Sequence, residues 1–362
     1  AGKKRFADLS ARWQELVRKA DITDALKLPG TGLVAFGSFA FSDESAAENV
    51  LVVPAIILGL RDGRAWVTRI SADDSPVTEV NFWSAPSHYP GHSPIKFDAG
   101  QVSANSFKDS VAEAVIRINR GEVKKVVLAR DLVAELPENF DIRSALVKLA
   151  HTYPTCWVYS VEGTFGASPE LLVRVSHGQV SARVLAGTAG RGTDPGVDQA
   201  IATALASSEK NKNEHAFAVN SLVSALAPFC TTVDADEKPF SLALPNLWHL
   251  ASDVHGVLRQ EASVLDLAAA LHPTAAVAGT PTVKAREVID ELEGLDRGRY
   301  AGSVGWIGAD GDGEWAIALR GAQISGSEVR AFAGCGIVGA SDPEAELAET
   351  ELKFKPIREA LA

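Results

Sequence analysis

The sequence has little cysteine, no apolar run long enough to cross a bilayer and no cluster of positive charge. Its 362 residues include three cysteines, Cys156, Cys230 and Cys335, which lie far apart and form no CxxC pair. This spacing argues against both a zinc cluster and a disulfide framework, so we expect all three thiols to be reduced. The longest apolar stretch, residues 50–60, is interrupted by Pro54 and is too short for a membrane span.

The charge balance of the chain is acidic. Its 35 basic and 46 acidic side chains give a formal net charge of −11, and the basic residues form no long run. Binding to nucleic acid or to an anionic membrane is therefore disfavoured. The first residues, AGKKRFADLS, lack the apolar core of a signal peptide, so we expect a cytoplasmic protein.

No internal repeat and no flexible linker divides the chain. Long stretches rich in Pro, Gly or Ser are absent from the sequence. We therefore expect a single domain over residues 1–362, with a more variable amino-terminal part over about 1–104 and a motif-bearing part over about 105–362.

The order of apolar patterns predicts an α+β fold with mostly antiparallel sheet. Several strands follow one another, helices separate sets of strands, and no regular βαβ alternation occurs. Residues 165–171 are interpreted as a small-residue turn and residues 187–194 as a polar loop. We expect strands near residues 32–41, 50–60, 65–70, 126–128, 172–176, 179–184, 247–258, 300–308, 314–324 and 329–337, and helices near 106–121, 141–151, 197–229, 262–271, 281–292 and 343–361.

The last predicted helix carries three charged residues on one face. Glu346, Glu349 and Lys353 are spaced three and four residues apart. A row of solvated salt bridges would look the same. The glycine-rich segment 333–338, which leads into this helix, lets the backbone approach a ligand and offers amide groups to a carboxylate.

Three further residues are candidates for chemistry. Glu214 adjoins the apolar side of its helix, where a carboxylate must be paired, protonated or metal-bound, although an amphipathic helix would explain it equally well. Lys125 begins a strand and could act as a base if desolvated, or could simply extend into solvent. Glu170 precedes an apolar strand and, if shielded from water, could donate a proton; the alternative is a solvated turn glutamate.

His249, Asp253 and His255 alternate along one strand face, so a transition-metal site is conceivable there. We rank it below a histidine that is satisfied structurally or contacts substrate. The segment Gly187 to Gly192 lacks the ending of a P-loop.

Taken together, ten segments resemble the chorismate-utilising enzyme family, and within it the isochorismate synthases most closely. The resemblance runs in family order from about residue 125 to residue 353, and more loosely over residues 35–39. The segments are KVVLAR, FGASPELL, LAGTAGRG, SEKNKNEH, HLASDVHG, LHPTAAVAG, YAGSVGW, ALRGA, FAGCGIV and EAELAETELK.

The resemblance implies one large α+β domain around a Mg²⁺-dependent pocket that binds chorismate. It further implies that Lys125 activates water and that Glu170 is the general acid. Glu214 and Glu349 would hold Mg²⁺, with Glu346 nearby through water. The substrate would be bound by Arg320, Lys353, the Gly334 backbone, Gly187, Thr188, His249 and Ala276.

Two positions bear on the branch of the family. Ammonia-using relatives usually lack the lysine and carry Thr where this chain has Ala276, and salicylate synthases share the lysine but usually have the Thr. Lys125 with Ala276 therefore resembles the isochorismate-forming branch. Asn211 and Ala275 depart from the usual family residues without removing a catalytic group.

We accordingly expect a monomeric enzyme that forms isochorismate for menaquinone or siderophore synthesis without an obligatory glutaminase. The alternatives are a salicylate synthase, which would also eliminate pyruvate, and an anthranilate- or aminodeoxychorismate-synthase-type subunit working with a glutaminase. A catalytically silent relative stays open as well.

Overall fold

A computed structural model describes residues 2–73, 94–243 and 247–362 of the chain, leaving aside the side chains of Thr188, Lys210, Glu214 and Leu247. The α-helices in these ranges are α1 (Arg5–Lys19), α2 (Ala104–Asn119), α3 (Ile142–Thr152), α4 (Pro195–Ser207), α5 (Glu209–Leu226), α6 (Val264–Leu271), α7 (Thr282–Leu292) and α8 (Pro343–Ala360). The strands are β1 (Val34–Ser38), β2 (Val50–Val52), β3 (Ile56–Arg61), β4 (Arg64–Arg69), β5 (Asp98–Ala99), β6 (Lys125–Glu135), β7 (Trp157–Val161), β8 (Thr164–Ser168), β9 (Leu171–Ser176), β10 (Gln179–Gly190), β11 (Cys230–Ala235), β12 (Phe240–Ala243), β13 (Leu247–Leu258), β14 (Gly279–Thr280), β15 (Ser303–Gly308), β16 (Gly313–Ile317), β17 (Gly321–Ser325) and β18 (Glu328–Ile337).

The strands form two large antiparallel sheets and a separate β3–β4 hairpin. The nine-stranded sheet has the order β11-β13-β10-β9-β16-β15-β1-β2, with β12 paired to β13. The seven-stranded sheet has the order β14-β6-β18-β17-β8-β7, with β5 paired to β6. The predicted α+β class with antiparallel sheet is therefore confirmed.

The two sheets contribute to one apolar core. The largest buried cluster includes Val126 and Leu128 of β6 together with Val173 of β9 and Val254 of β13. Burial of apolar side chains from both sheets holds them against each other, since such burial is the main favourable term in folding. Within the described ranges, no helix combines the length and the apolar character needed to cross a membrane.

Local patterns predicted many elements well. Strand β13 has the expected bounds, and the β9–β10 hairpin turns at His177 and Gly178, whose φ angles of 51° and 71° are those of a tight turn. Helix α8 begins as predicted at Pro343, after Asp342 accepts a hydrogen bond from the backbone N–H of Ala345.

Several expectations about secondary structure were wrong, and the strand expected over 50–60 is divided into β2 and β3. Helix α1 was not predicted, although it buries Phe6 and Trp13. Residues 187–190 continue strand β10, and residues 165–168 belong to strand β8. The helix expected over 197–229 is divided at Ser208, whose extended backbone ends α4 and caps α5. The strand expected over 314–324 is interrupted before Arg320, whose φ of 48° is incompatible with a continuous strand.

Candidate active site

Strand β6 begins at Lys125, and its pairing with β18 starts one residue later, at Val126 opposite Ile337. Gly334 pairs with Ala129, and Gly336 pairs with Val127. A Cβ atom at Gly336 would lie only 2.6 Å from Cε of Lys125 and 3.3 Å from its Nζ. Glycine at position 336 therefore leaves the space through which the Lys125 side chain passes.

Glu170 lies in the short connection between β8 and β9. Its backbone N–H donates to Ser168 Oγ at 3.2 Å, and its carbonyl accepts from the Ile317 N–H at 3.1 Å. Burial raises the pKa of the Glu170 carboxyl to about 7, against the lowering effect of Lys125, Lys353 and Arg320. A substantial fraction of this group is therefore protonated at neutral pH.

A β-bulge brings Gly187 to His249. The register of β10 against β13 shifts between Leu185 and Thr188, and Thr188 lies opposite His249. Gly187 has a φ of 84°, a conformation that favours glycine. Burial lowers the pKa of His249 to about 4, and a hydrogen bond with the Gly187 backbone opposes this shift. His249 is therefore neutral at pH 7.

The same three cations act on both titrating groups. Lys125, Lys353 and Arg320 each lower the pKa of Glu170 and that of His249. Such interactions require proximity, so these five residues share one electrostatic neighbourhood. An anion with carboxylate groups would be stabilised there.

Helix α8 presents its charged face to this neighbourhood. Lys353 Nζ donates to the Gly334 carbonyl at 2.8 Å and lies 2.6 Å from Glu349 Oε1. The predicted spacing thus produces an ion pair, but one that is attached to the neighbouring strand. The Cys335 thiol donates to the Glu346 carbonyl over 3.6 Å. The pKa of this thiol is raised mainly by its burial and to a smaller extent by the negative charge of Glu346.

The predicted metal ligands are only partly described. Glu346 and Glu349 lie on α8, and Glu214 lies in α5, but its side chain is outside the described residues. Among the side chains that are described, no three of His, Cys, Asp or Glu come together as a metal site. Two hard carboxylates nevertheless suit Mg²⁺, which takes one or two carboxylates and fills its remaining positions with water and substrate oxygens.

The minor possibility of a transition-metal site on β13 finds no support in these ranges. Asp253 forms an ion pair with Arg183, with Nε 2.6 Å from Oδ1.

Ala276 lies in the turn that precedes β14, where the Val277 and Ala278 N–H groups donate to the Thr274 carbonyl at 3.2 and 3.0 Å.

Some residues that shape the site were not assigned by sequence reasoning. His215 Nδ1 lies 3.1 Å from the Ala186 carbonyl in the bulge, and its Nε2 lies 2.9 Å from Ser252 Oγ. The sequence did offer a signal for His215, because this residue follows Glu214 at the end of the segment SEKNKNEH. Arg130 was also missed: it is 2% exposed and donates to Thr350 Oγ1 at 2.8 Å, which ties β6 to α8.

The fold brings a protonatable carboxyl, a lysine and further cations into one neighbourhood, an arrangement suited to acid–base chemistry on a carboxylate-bearing substrate. The sequence family described as "Chorismate binding enzyme" matches residues 1–362. The chain belongs to this family of chorismate-binding enzymes.

Individual relatives agree with this membership. The chain is 39% identical to the isochorismate synthase DhbC of Bacillus subtilis over 79% of this chain and 76% of the relative. It is 32% identical to the isochorismate synthase MenF of the same organism, over 99% and 81%. A crystal structure of the putative 2,3-dihydroxybenzoate-specific isochorismate synthase DhbC from Bacillus anthracis matches with a TM-score of 0.76 and 31% identity, over 99% of this chain and 90% of the other.

Proposed function

We propose that this protein is an isochorismate synthase, which adds water at C2 of chorismate and removes the C4 hydroxyl. The observation that carries the proposal is the shared neighbourhood of Lys125, Glu170, Arg320 and Lys353, in which Glu170 has a pKa of about 7. It is supported by the names of the relatives that align with most of the chain.

Substrate binding would use the cations and the backbone. Arg320 and Lys353, with the backbone at Gly334, would receive the carboxylates of chorismate. Lys353 would then exchange its contacts with Glu349 and the Gly334 carbonyl for a substrate carboxylate. Gly187, Thr188, the neutral His249 and Ala276 would line the pocket without adding charge.

The chemical step requires one proton acceptor and one donor. Lys125, as the free amine, would accept a proton from the water whose oxygen bonds to C2. Protonated Glu170 would deliver its proton to the C4 oxygen, which leaves as water. One water enters and one leaves, so substrate and product are isomers and no oxidant is needed.

The proposal includes Mg²⁺ held by Glu349 and Glu214, with Glu346 nearby through water. The cation would neutralise a substrate carboxylate in the pocket. We also propose that the protein is a cytoplasmic monomer that needs no glutaminase and supplies menaquinone or siderophore synthesis. Its three cysteines are free, as a reducing compartment requires.

The test is incubation of the purified protein with chorismate and Mg²⁺, with and without EDTA, followed by chromatography of the products. We expect isochorismate to form with Mg²⁺ and not to form when EDTA is added. Salicylate with pyruvate would instead identify a salicylate synthase. Product that forms only when ammonia is supplied, as anthranilate or aminodeoxychorismate, would overturn the proposal.

A further inference from the structure

One edge of strand β6 is completed by side chains instead of a neighbouring strand. Strand β14 pairs with β6 opposite Lys125 and Val126, and β5 pairs with it opposite Leu132 and Val133. Between these two short partners, the backbone needs other hydrogen-bonding groups because buried N–H and C=O groups are costly when unpaired.

Backbone groups provide two of them, since the Val127 N–H donates to the Ala278 carbonyl at 2.9 Å and the Asp131 carbonyl accepts from the Gly100 N–H at 3.1 Å. Glu293 and Arg297 provide two more. Arg297 Nη2 donates to the Val127 carbonyl at 2.8 Å, and the Ala129 N–H donates to Glu293 Oε2 at 2.8 Å. The two side chains also bind each other, with Nε and Nη2 of Arg297 each 2.6 Å from a carboxylate oxygen. Their exposed fractions are 2% and 1%, so the pair is fully enclosed.

The same guanidinium reaches a second segment of the candidate site. Arg297 Nη1 donates to the Val277 carbonyl at 2.8 Å, next to Ala276. One planar group therefore reinforces the connection between β6 and the turn that carries Ala276, a connection that the Val127 N–H also makes by donating to the Ala278 carbonyl. Lysine cannot reproduce this connection, because its single ammonium does not span two carbonyls and a carboxylate in one plane.

We propose that Glu293 and Arg297 are positioning residues that fix Lys125 relative to the Ala276 turn. Val127 lies two residues from Lys125 along the same strand, so a shift of its carbonyl is transmitted to the start of β6. Neither side chain takes part in the chemistry. The inference rests on the proposed function, since it assigns Lys125 to the water-activating step.

The experiment compares Arg297→Lys with Arg330→Lys. Arg330, whose side chain is 33% exposed, also pairs with a buried carboxylate on β6, that of Asp131, at 2.7 Å. In Arg297→Lys we expect kcat to fall about tenfold or more, because small displacements of reacting groups cost large factors in rate, while KM for chorismate stays within about threefold. Arg330→Lys should keep kcat within about twofold of the wild type at an assay temperature well below the Tm of each variant.

Amide hydrogen exchange supplies a readout that does not depend on turnover. Exchange of the Ala129 N–H should accelerate about tenfold or more in Arg297→Lys and stay unchanged in Arg330→Lys. If Arg297→Lys fails to fold, Glu293→Gln replaces it under the same kcat and KM criteria. Its Ala129 N–H should stay protected, because the amide oxygen still accepts from it.

Wild-type kcat in a folded Arg297→Lys, or an equal loss in Arg330→Lys, would overturn the inference. If the wild-type protein makes no isochorismate, the proposed function fails. In that case the exchange measurement still tests whether Arg297 holds the edge of β6. An unchanged exchange rate of the Ala129 N–H in Arg297→Lys would show that it does not.

Discussion

Two strand pairs contribute to the candidate site, and they are built differently. The β6–β18 ladder runs through ten consecutive pairs, from Glu135 opposite Glu328 to Val126 opposite Ile337, without a register shift. The β10–β13 ladder slips between Leu185 and Thr188, where two residues lie opposite one.

The regular ladder ends at Val126, next to Lys125, and holds Gly334 in fixed register, whereas the bulge redirects groups that a regular strand would have paired. At the bulge, the Ala186 carbonyl contacts His215, and Gly187 contacts His249. Bulges beside active sites commonly redirect groups in this way. Under the proposed function, Lys125 at the start of β6 serves the chemical step, whereas the bulge serves substrate fit. A change at Lys125 should therefore lower kcat, and a change at the bulge should raise KM.

Replacing the lysine at the start of β6 should have the largest effect. Lys125→Gln removes the proton acceptor, and we expect kcat to fall about 10²- to 10⁴-fold, because that is the usual contribution of a general base. Chorismate binding and Tm should stay near wild-type values. The control is Lys124→Gln at the adjacent exposed lysine, and product chromatography measures both. Near-normal turnover in Lys125→Gln would refute the role.

Raising the pH should lower activity through Glu170, which lies outside both strand pairs. Its carboxyl, with a pKa of about 7, is protonated below that pH and loses its proton above it. Lys125 must be the free amine in the same step, so its deprotonation opposes this loss in the wild type. In Lys125→Gln, which lacks that base, the residual kcat/KM should fall about tenfold per pH unit above pH 7. Initial rates of this variant from pH 5 to 9 would reveal the limb, and a profile that stays flat to pH 9 would remove Glu170 as the acid.

Glu349→Ala tests the helix that packs on the regular ladder. We expect the Mg²⁺ concentration for half-maximal activity to rise about tenfold or more, because a carboxylate ligand is lost. The matched control is Glu344→Ala, since Glu344 is an exposed carboxylate one turn earlier that pairs with Lys108 at 2.8 Å. Titration calorimetry with Mg²⁺ alone gives a second measurement. An unchanged Mg²⁺ affinity would exclude Glu349 from the site.

The smallest effect is expected at the bulge. Gly187→Ala forces a residue with a Cβ into a φ of 84°, which should cost about 1–2 kcal/mol of unfolding free energy. The new Cβ would meet Asn211 and Leu250 at 3.4 Å, so space is not limiting. Gly178→Ala, at a φ of 71° in the β9–β10 turn, should lose similar stability in urea unfolding. Only Gly187→Ala should raise KM, about threefold; equal KM values would erase the distinction between the two strand pairs.

Local sequence patterns predicted those parts of the molecule that local forces determine. The i, i+4 spacing of Glu349 and Lys353 gave the ion pair found on α8. The alternation of residues 247–258 gave the bounds of β13. Both depend on residues within a few positions of each other, which a single sequence displays directly.

The bulge and the Glu293–Arg297 pair could not be predicted for different reasons. The two-residue irregularity at Ala186 and Gly187 begins the segment AGTAGRGTD, which looks like a polar loop because small and polar residues are also typical of turns. Glu293 and Arg297 resemble the charged end of a surface helix. Their burial depends on Ala129 and Val127, which are 164 and 170 residues away.

The attachment of β6 to α8 has a consequence for synthesis on the ribosome. Arg130 is 2% exposed in the finished fold, and its partner Thr350 lies 220 residues later in the chain. At bacterial and eukaryotic elongation rates, that interval takes on the order of 10–40 s. During this time the nascent strand has emerged without the helix that will enclose its guanidinium. The seven-stranded sheet therefore receives the helix that encloses Arg130 only near the end of synthesis.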